Sequence, residues 1–175
     1  TLEQINRLGE LSQQCLREMR LLVYELRPAM VEEVGLIGAL RQRLEAVEQR
    51  SGVSVQLAAD DDRHIPPSVQ NELFRVAEEA LNNALKHAHA SSLAVRLHST
   101  AEQIELEIAD NGRGFDPAIA AGNGGQGLTN MRERVVRLGG RFAIDTAPGH
   151  ETIVRVRLNL PDSRGGRGSY VREAA

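Results

Sequence analysis

Ile104-Glu105-Leu106-Glu107-Ile108-Ala109-Asp110-Asn111-Gly112-Arg113-Gly114-Phe115 is the stretch on which the fold turns. Apolar and polar residues alternate from Ile104 to Ile108, the period of a strand with one face buried. The alternation runs into a carboxylate and then two glycines one residue apart. A carboxylate at a strand end can accept a hydrogen bond from an exocyclic amine, and glycines beside it let backbone approach a flat ring. The same letters also spell an Asp-Asn-Gly hairpin turn, an equally good local reading. A dinucleotide-binding fingerprint is excluded, because the third glycine spacing and the following helix are missing.

Upstream, Leu93–Leu97 alternates in the same way. Before it, residues 67–89 read as a helix that starts at Pro66-Pro67, with Val69, Leu73, Val76, Ala80 and Leu81 as its apolar stripe. Glu79, Asn83 and Lys86 or His87 recur at helical spacing and share another face. A carboxylate and a carboxamide oxygen suit Mg²⁺ or a water it holds, and a lysine one turn on can meet phosphate as a point charge. The same three residue types also make up ordinary solvated helix faces.

Further back, Ile37, Leu40, Leu44 and Val47 predict a helix over about 33–50, stopped at Gly52. Val53, Val55 and Leu57 predict a short strand, and Asp60-Asp61-Asp62 a solvated acidic loop. Residues 1–27 read as one amphipathic helix. Leu8, Cys15 and Leu22 share one heptad position and Ile5, Met19 and Leu26 the other, the pattern of a bundle or coiled-coil seam. Thr1 opens into this pattern without a cap, so the chain is expected to begin inside a longer helical region. Pro28 is expected to stop the helix.

Downstream, residues 116–127 are rich in Gly and Ala and are expected to be mobile. Gly122, Gly124, Gly125 and Gly127 precede a helix marked by Leu128, Met131, Val135 and Leu138. Backbone N–H groups at a helix start favour anions, which makes this a phosphate cradle or, failing that, a plain flexible linker. No Lys-Ser/Thr pair follows the glycines, so a P-loop is excluded. Gly139-Gly140 turns the chain, and strands follow at Phe142–Ile144 and Val154–Leu160. This order predicts an α+β fold: a roughly five-stranded sheet with antiparallel content and helices on one face.

The 175 residues leave room for one domain with a helical appendage. With 21 basic and 24 acidic residues the net charge is −3, which argues against direct nucleic-acid binding. Aromatic residues make up only 3%, without Trp, so the core must be aliphatic. The single cysteine, Cys15, rules out an internal disulfide framework and a multi-cysteine zinc site. Its seam position makes it a core residue rather than a nucleophile. His64, His89, His98 and His150 lack metal-ligand spacing, and no Gly-x-Ser-x-Gly supports esterase chemistry. No secretory leader is visible, and the apolar runs fall well short of the ~20 residues needed to span a bilayer.

Taken together, these motifs resemble those of histidine kinases. Residues 79–87 (Glu-Ala-Leu-Asn-Asn-Ala-Leu-Lys-His) resemble the N box, and residues 110–116 (Asp-Asn-Gly-Arg-Gly-Phe-Asp) the G1 box. Gly125-Gln126-Gly127-Leu128 with Met131-Arg132-Glu133-Arg134 resembles the glycine box and lid helix. Leu26-Arg27-Pro28 and Gly35-Leu36 with Ala39-Leu40 resemble the run between dimerisation and catalytic domains. The set is similar to the NarX/DesK/LiaS-like sensor histidine kinases, within the gyrase/Hsp90/histidine-kinase/MutL ATPase superfamily.

The resemblance implies a two-layer α/β sandwich of the Bergerat type and assigns roles to residues. Asn83 would hold Mg²⁺, Asp110 the adenine amine, and Gly112 and Gly114 would lie against the ring. Lys86 and His87 would approach the phosphates, and Gly125, Gly127 and Leu128 would belong to the lid. Thr152 would stand near an adenine-bound water, and Glu79 would be the catalytic carboxylate. The usual Gly-x-Gly-Thr reads Gly149-His150-Glu151-Thr152 here. The resemblance divides residues 1–161 into a second dimerisation helix (1–28) and an ATP-binding catalytic domain (29–161), while the Gly/Arg/Ser-rich composition of 162–175 predicts a disordered tail. It further implies transfer of the ATP γ-phosphoryl to a histidine and then to a response regulator, homodimerisation through the N-terminal helix, and a cytoplasmic catalytic part of a parent that could be membrane-anchored. None of the five histidines lies in residues 1–27, so this chain is expected to bind ATP without carrying its own phosphorylation site. The rivals are an anti-sigma-factor-like serine kinase, a gyrase- or Hsp90-like ATPase, and a nucleotide-binding module that transfers nothing.

Overall fold

A computed structural model describes residues 28–117 and 126–160. The N-terminal helix expected over 1–27, the glycines at 122, 124 and 125, and the tail lie outside the described residues.

Helix α1 runs Pro28–Ser51. Pro28 stands at the start of this helix, as suits a residue whose missing N–H is not needed in the first turn. At Gly35 the backbone leaves helical geometry (φ 73°, ψ 173°) and the helix restarts. The new start is capped from across the chain. Leu36 N–H donates to Gln70 Oε1 and Ile37 N–H to Asp62 Oδ2, both at 2.8 Å. The side-chain amide of Gln70 in turn donates to the carbonyls of Asp62 (3.2 Å) and Ile65 (2.8 Å). The acidic loop is thus not simply solvated. Asp62 serves α1, Asp61 pairs with Arg63, and Asp60 lies beside His98. The restart also shifts the apolar phase. Leu36, Ala39, Leu40, Leu44 and Val47 are buried, while Ile37 is only partly so.

Strand β1 (Ser54–Ala59) leads to helix α2 (Pro67–Asn83), which passes directly into a wider π turn over Ala84–Ala88. His89, in left-handed geometry, ends it. Strands β2 (Ser92–Ser99) and β3 (Gln103–Asp110) follow, then helix α3 (Gln126–Arg137) and strands β4 (Arg141–Thr146) and β5 (Thr152–Asn159). The sheet order is β1-β2-β3-β5-β4, with β1 parallel to β2 and all other pairs antiparallel.

Alternation sorts the sheet into two faces. Leu93, Val95, Leu97, Ile104, Leu106, Ile108, Val154, Val156 and Leu158 all bury under the helix layer. The opposite face is a charge ladder. Glu107 pairs with Arg96 (2.6 Å) on one neighbouring strand and Arg155 (2.9 Å) on the other, and Arg157 pairs with Glu105 (3.0 Å). Helix α2 is the centre of the helix layer, packed on α1, α3 and β3. Its Leu73, Val76, Ala77 and Leu81 are fully enclosed. Helix α3 buries Met131 and Val135 and is clipped to α2 by Arg134–Glu72 at 2.8 Å. Arg132 lies 5.3 Å over the ring of Phe142 on β4.

The junction at Gly35 makes a direct prediction. A Cβ at Gly35 would lie 2.7 Å from Asp62 Oδ2 on a left-handed backbone. Gly35→Ala should destabilise the domain by about 1–3 kcal/mol, and Asp62→Ala by about 1 kcal/mol through loss of the cap. Because the two act on one junction, the double variant should lose less than the sum in urea unfolding.

Candidate nucleotide site

One cavity of about 500 Å³ lies between α2, α3 and the β3–β5–β4 end of the sheet. Its apolar lining comes from Ala80, Ala84, Ile108, Met131, Ile144 and Val154. Its polar groups are Glu79, Asn83, His87, Asp110, Arg113 and Thr152. The chain therefore brings three separated segments, around residues 79–88, 108–115 and 126–131, to one hole.

Glu79 and Asn83 stand one turn apart on α2, facing the cavity opposite the buried stripe. Among the described residues neither side chain has a hydrogen-bond partner, so both keep their oxygens for a ligand. A Cβ on Gly127 would fall 2.1 Å from Glu79 Oε1, so glycine is what lets the start of α3 come up against this carboxylate. Leu128 also lines the cavity; Gly125 is outside the described residues.

The π turn decides between Lys86 and His87. A regular helix would keep both near the face of Asn83. The wider turn turns Lys86 further from that face, while His87, likewise exposed, joins the cavity wall. The turn also frees two carbonyls. Ala88 O accepts from Arg113 N–H (2.9 Å) and His87 O from Arg113 Nε (2.8 Å). Arg113, not singled out from the sequence, is thereby held in the wall. Only its place between the two glycines could have marked it.

The glycines beside Asp110 do something other than expected. Gly112 does not line the cavity. A Cβ there would lie 2.4 Å from Ala88 Cβ and 2.6 Å from Ala88 O, so glycine allows the loop to press on the π turn. Gly114 does line the cavity, with φ +55°, and a Cβ there would be 2.1 Å from Ala147 O and 2.4 Å from His150 O. The loop is wedged between two stretches of backbone. Gly149 N–H donates to Arg113 O (2.6 Å), closing the second contact through the Gly-His-Glu-Thr segment.

Asp110 is the last inward residue of β3 and only 8% exposed. Its Oδ1 accepts from Gly112 N–H at 2.9 Å. Across the ladder Asp110 stands opposite Thr152, and Thr152 opposite Thr146. The carboxylate of a strand end and the amide of a helix thus face one space.

Residues 68–162 match the family described as histidine kinase-, DNA gyrase B- and HSP90-like ATPases. The chain belongs to that family. Within it, the similarity is to sensor histidine kinases, so this is an ATP-binding catalytic domain of the histidine-kinase kind. DegS of Brevibacillus brevis, a signal transduction histidine-protein kinase/phosphatase, is 33% identical over 91% of this chain and 41% of its own length. The sensor histidine kinase LiaS of Bacillus subtilis is 30% identical over 94% of this chain and 46% of its own. The chain spans less than half the length of these relatives. In three dimensions it resembles the histidine kinase domain of the blue-light activated kinase of Erythrobacter litoralis EL346, with TM-score 0.59 and 22% identity over 71% of this chain and 59% of that one. Acinetobacter baumannii AdeS gives 0.58 and 19% over 85% and 83%. At such identities the likeness speaks for the fold alone.

The histidine-kinase-type domain is larger than the matched segment. Helix α1 and strand β1 precede residue 68, yet they supply buried core residues and an edge of the sheet. The expected two-layer sandwich is the observed one.

Burial holds the carboxyl of Asp110 above its ordinary value of 3.8, and the nearby Glu151 charge pushes the same way while Gly112 N–H opposes. An acid raised in the folded state lowers stability once pH exceeds its unfolded value, because the unfolded chain ionises first; the deficit is complete above the folded value. Asp110→Asn keeps the acceptor for Gly112 and removes that deficit. Its melting temperature should exceed that of the wild type at neutral pH, and the gain should fade as pH falls toward 3.8. Differential scanning across pH reads both parts.

Proposed function

We propose that this chain binds Mg·ATP in the cavity described above and is the catalytic part of a two-component sensor histidine kinase. In the whole protein the γ-phosphoryl of ATP would pass to a histidine and from there to a response-regulator aspartate. One observation carries the reading: Glu79 and Asn83 of α2 and Asp110 of β3 line the same cavity.

The roles follow from chemistry. Asp110, a buried acceptor at the end of β3, takes the exocyclic amine of adenine, and the aliphatic walls accept the ring. His87 and Arg113 add polar groups to the same wall, and Lys86 lies exposed beside them. Asn83 and Glu79 offer a hard donor set of one carboxamide and one carboxylate oxygen. Among the described residues no group of three His, Cys, Asp or Glu could hold a metal, so Mg²⁺ would need phosphate and water oxygens as well, its usual preference. Bound there, the ion would neutralise developing phosphate charge.

The rest of catalysis is positioning. The attacking imidazole nitrogen uses its own lone pair to form the N–P bond as the bond from γ-phosphorus to the bridging oxygen breaks and ADP leaves. Glu79 is needed only to hold or take the proton on the other ring nitrogen. Residues 1–27 contain no histidine, so the acceptor is supplied on another segment. We further infer that residues 1–28 form a dimerisation helix ahead of the catalytic domain, and that the homodimer is the working unit. Among the described residues no helix is long and apolar enough to cross a membrane.

Titration with a non-hydrolysable ATP analogue and Mg²⁺ should show saturable binding. Asp110→Ala should weaken it by about tenfold to a hundredfold, the value of a hydrogen bond to a charged group. Asn83→Asp should change its Mg²⁺ dependence. Mixed with a separate histidine-bearing helical hairpin and labelled ATP, the chain should transfer label to that hairpin. Unchanged binding in both variants would sink the site, and binding without transfer would reduce the protein to a nucleotide-holding module.

A further inference from the structure

Glu78 and Asn82 stand one turn apart on α2, and so do Glu79 and Asn83. Successive helix residues are rotated by about 100°, so the pairs mark adjoining faces of one helix. The second pair lines the cavity. The first pair meets α1, where Arg43 reaches both of its members. Arg43 Nη2 donates to Asn82 Oδ1 at 2.8 Å, and Arg43 Nε lies 3.8 Å from Glu78 Oε1. Among the described residues the buried Nε has no hydrogen-bond partner. It therefore meets Glu78 by charge, whereas Nη2 meets Asn82 by a directional bond.

The grip falls where the helix is weakest. Helix α2 gives way to the π turn at Ala84, whose N–H is shared between the carbonyls of Ala80 and Leu81. Where the bonding changes register, the backbone alone holds the rotation of the last turn less tightly. A side chain held from outside supplies that constraint. A guanidinium suits the task, because its planar fork fixes direction as well as distance. Arg43 is itself well placed, since buried Leu40, Leu44 and Val47 anchor its helix in the core. It precedes the family-matched residues 68–162, so this constraint comes from outside the shared ATPase segment.

We propose that Arg43 is a positioning residue for the metal: by gripping Asn82 it sets the rotation of the last turn of α2 and aims the Asn83 carboxamide at Mg²⁺. Asn83 is the next residue on the same backbone and turns with Asn82. Asp110 stands on β3 and does not turn with it. Loss of the grip therefore falls on the metal-dependent part of nucleotide binding and spares the rest. The role presupposes the Mg·ATP site proposed above.

The test measures dissociation constants for the non-hydrolysable ATP analogue in Mg²⁺ and in EDTA, by calorimetry; their ratio is the Mg²⁺ gain. Asn82→Ala removes the acceptor, and Arg43→Met removes the guanidinium while keeping an unbranched stem. Each should cut the gain by about threefold to tenfold, the scale of one hydrogen bond, and leave the EDTA value within about twofold. The double variant should lose no more than either single one, because both remove the same bond. If Arg43→Met melts because Glu78 is left with its charge, Arg43→Met combined with Glu78→Gln gives the same reading. An unchanged gain in Asn82→Ala, or equal weakening with and without Mg²⁺, overturns the role of Arg43 and leaves the site intact. A wild type whose binding ignores Mg²⁺ overturns the metal site and this role together.

Discussion

The site exists because the loop after β3 can touch two other pieces of backbone at once. On one side Gly112 rests on the π turn that ends α2; on the other Gly114 rests on the β4–β5 turn. Any side chain at either glycine would meet carbonyl oxygens that cannot move without dragging a helix or a hairpin. This double contact sets the end of α2 against the end of β3, and so sets Asn83 and Glu79 against Asp110. The hydrogen bonds of Arg113 and Gly149 close the same contact in the plane of the backbone. Positions that look like ligand contacts in the sequence are thus joints first.

The remaining packing serves this arrangement. Helix α2 carries the core on one face and the site on another, so it cannot rotate to improve one without losing the other. Helix α1 fixes it from behind. Arg43 Nη2 donates to Asn82 Oδ1 at 2.8 Å, and Arg43 lies 3.8 Å from the buried Glu78; these two residues immediately precede Asn83 and Glu79 in the chain. Arg134 on α3 fixes α2 from the other side through Glu72. The restart of α1 at Gly35, capped by Asp62 and Gln70, orients the helix that bears Arg43.

Most of the sheet was legible because its inner residues alternate cleanly, and β3 and β5 show it best. The helix bearing Glu79 and Asn83 was legible for the same reason at a different period. What escaped were features carried by long-range contacts. The role of Asp62 depends on a backbone N–H 25 residues away, and three consecutive aspartates read locally as a wet loop. The π turn has no local signature in Ala84-Leu85-Lys86-His87-Ala88, so the choice of His87 over Lys86 for the wall could not be read from spacing. Gly112 and Gly114 were singled out, but the contact that demands them, with Ala88 and with Ala147 and His150, lies on distant segments. Thr146 has no motif at all; only the register of β4 on β5 brings it to Thr152.

The uncovered face of the sheet carries its own consequence. Acidic and basic side chains alternate across β2, β3 and β5 and neutralise one another at close range. A surface of this kind casts little field into the surrounding water, so the back of the domain neither draws in nor turns away a polyanion. Two exposed cations, Lys86 and Arg113, stand on the side of the domain that holds the cavity. A polyanion arriving by diffusion would meet this positive charge beside the cavity, and added electrolyte would screen the attraction and slow its capture.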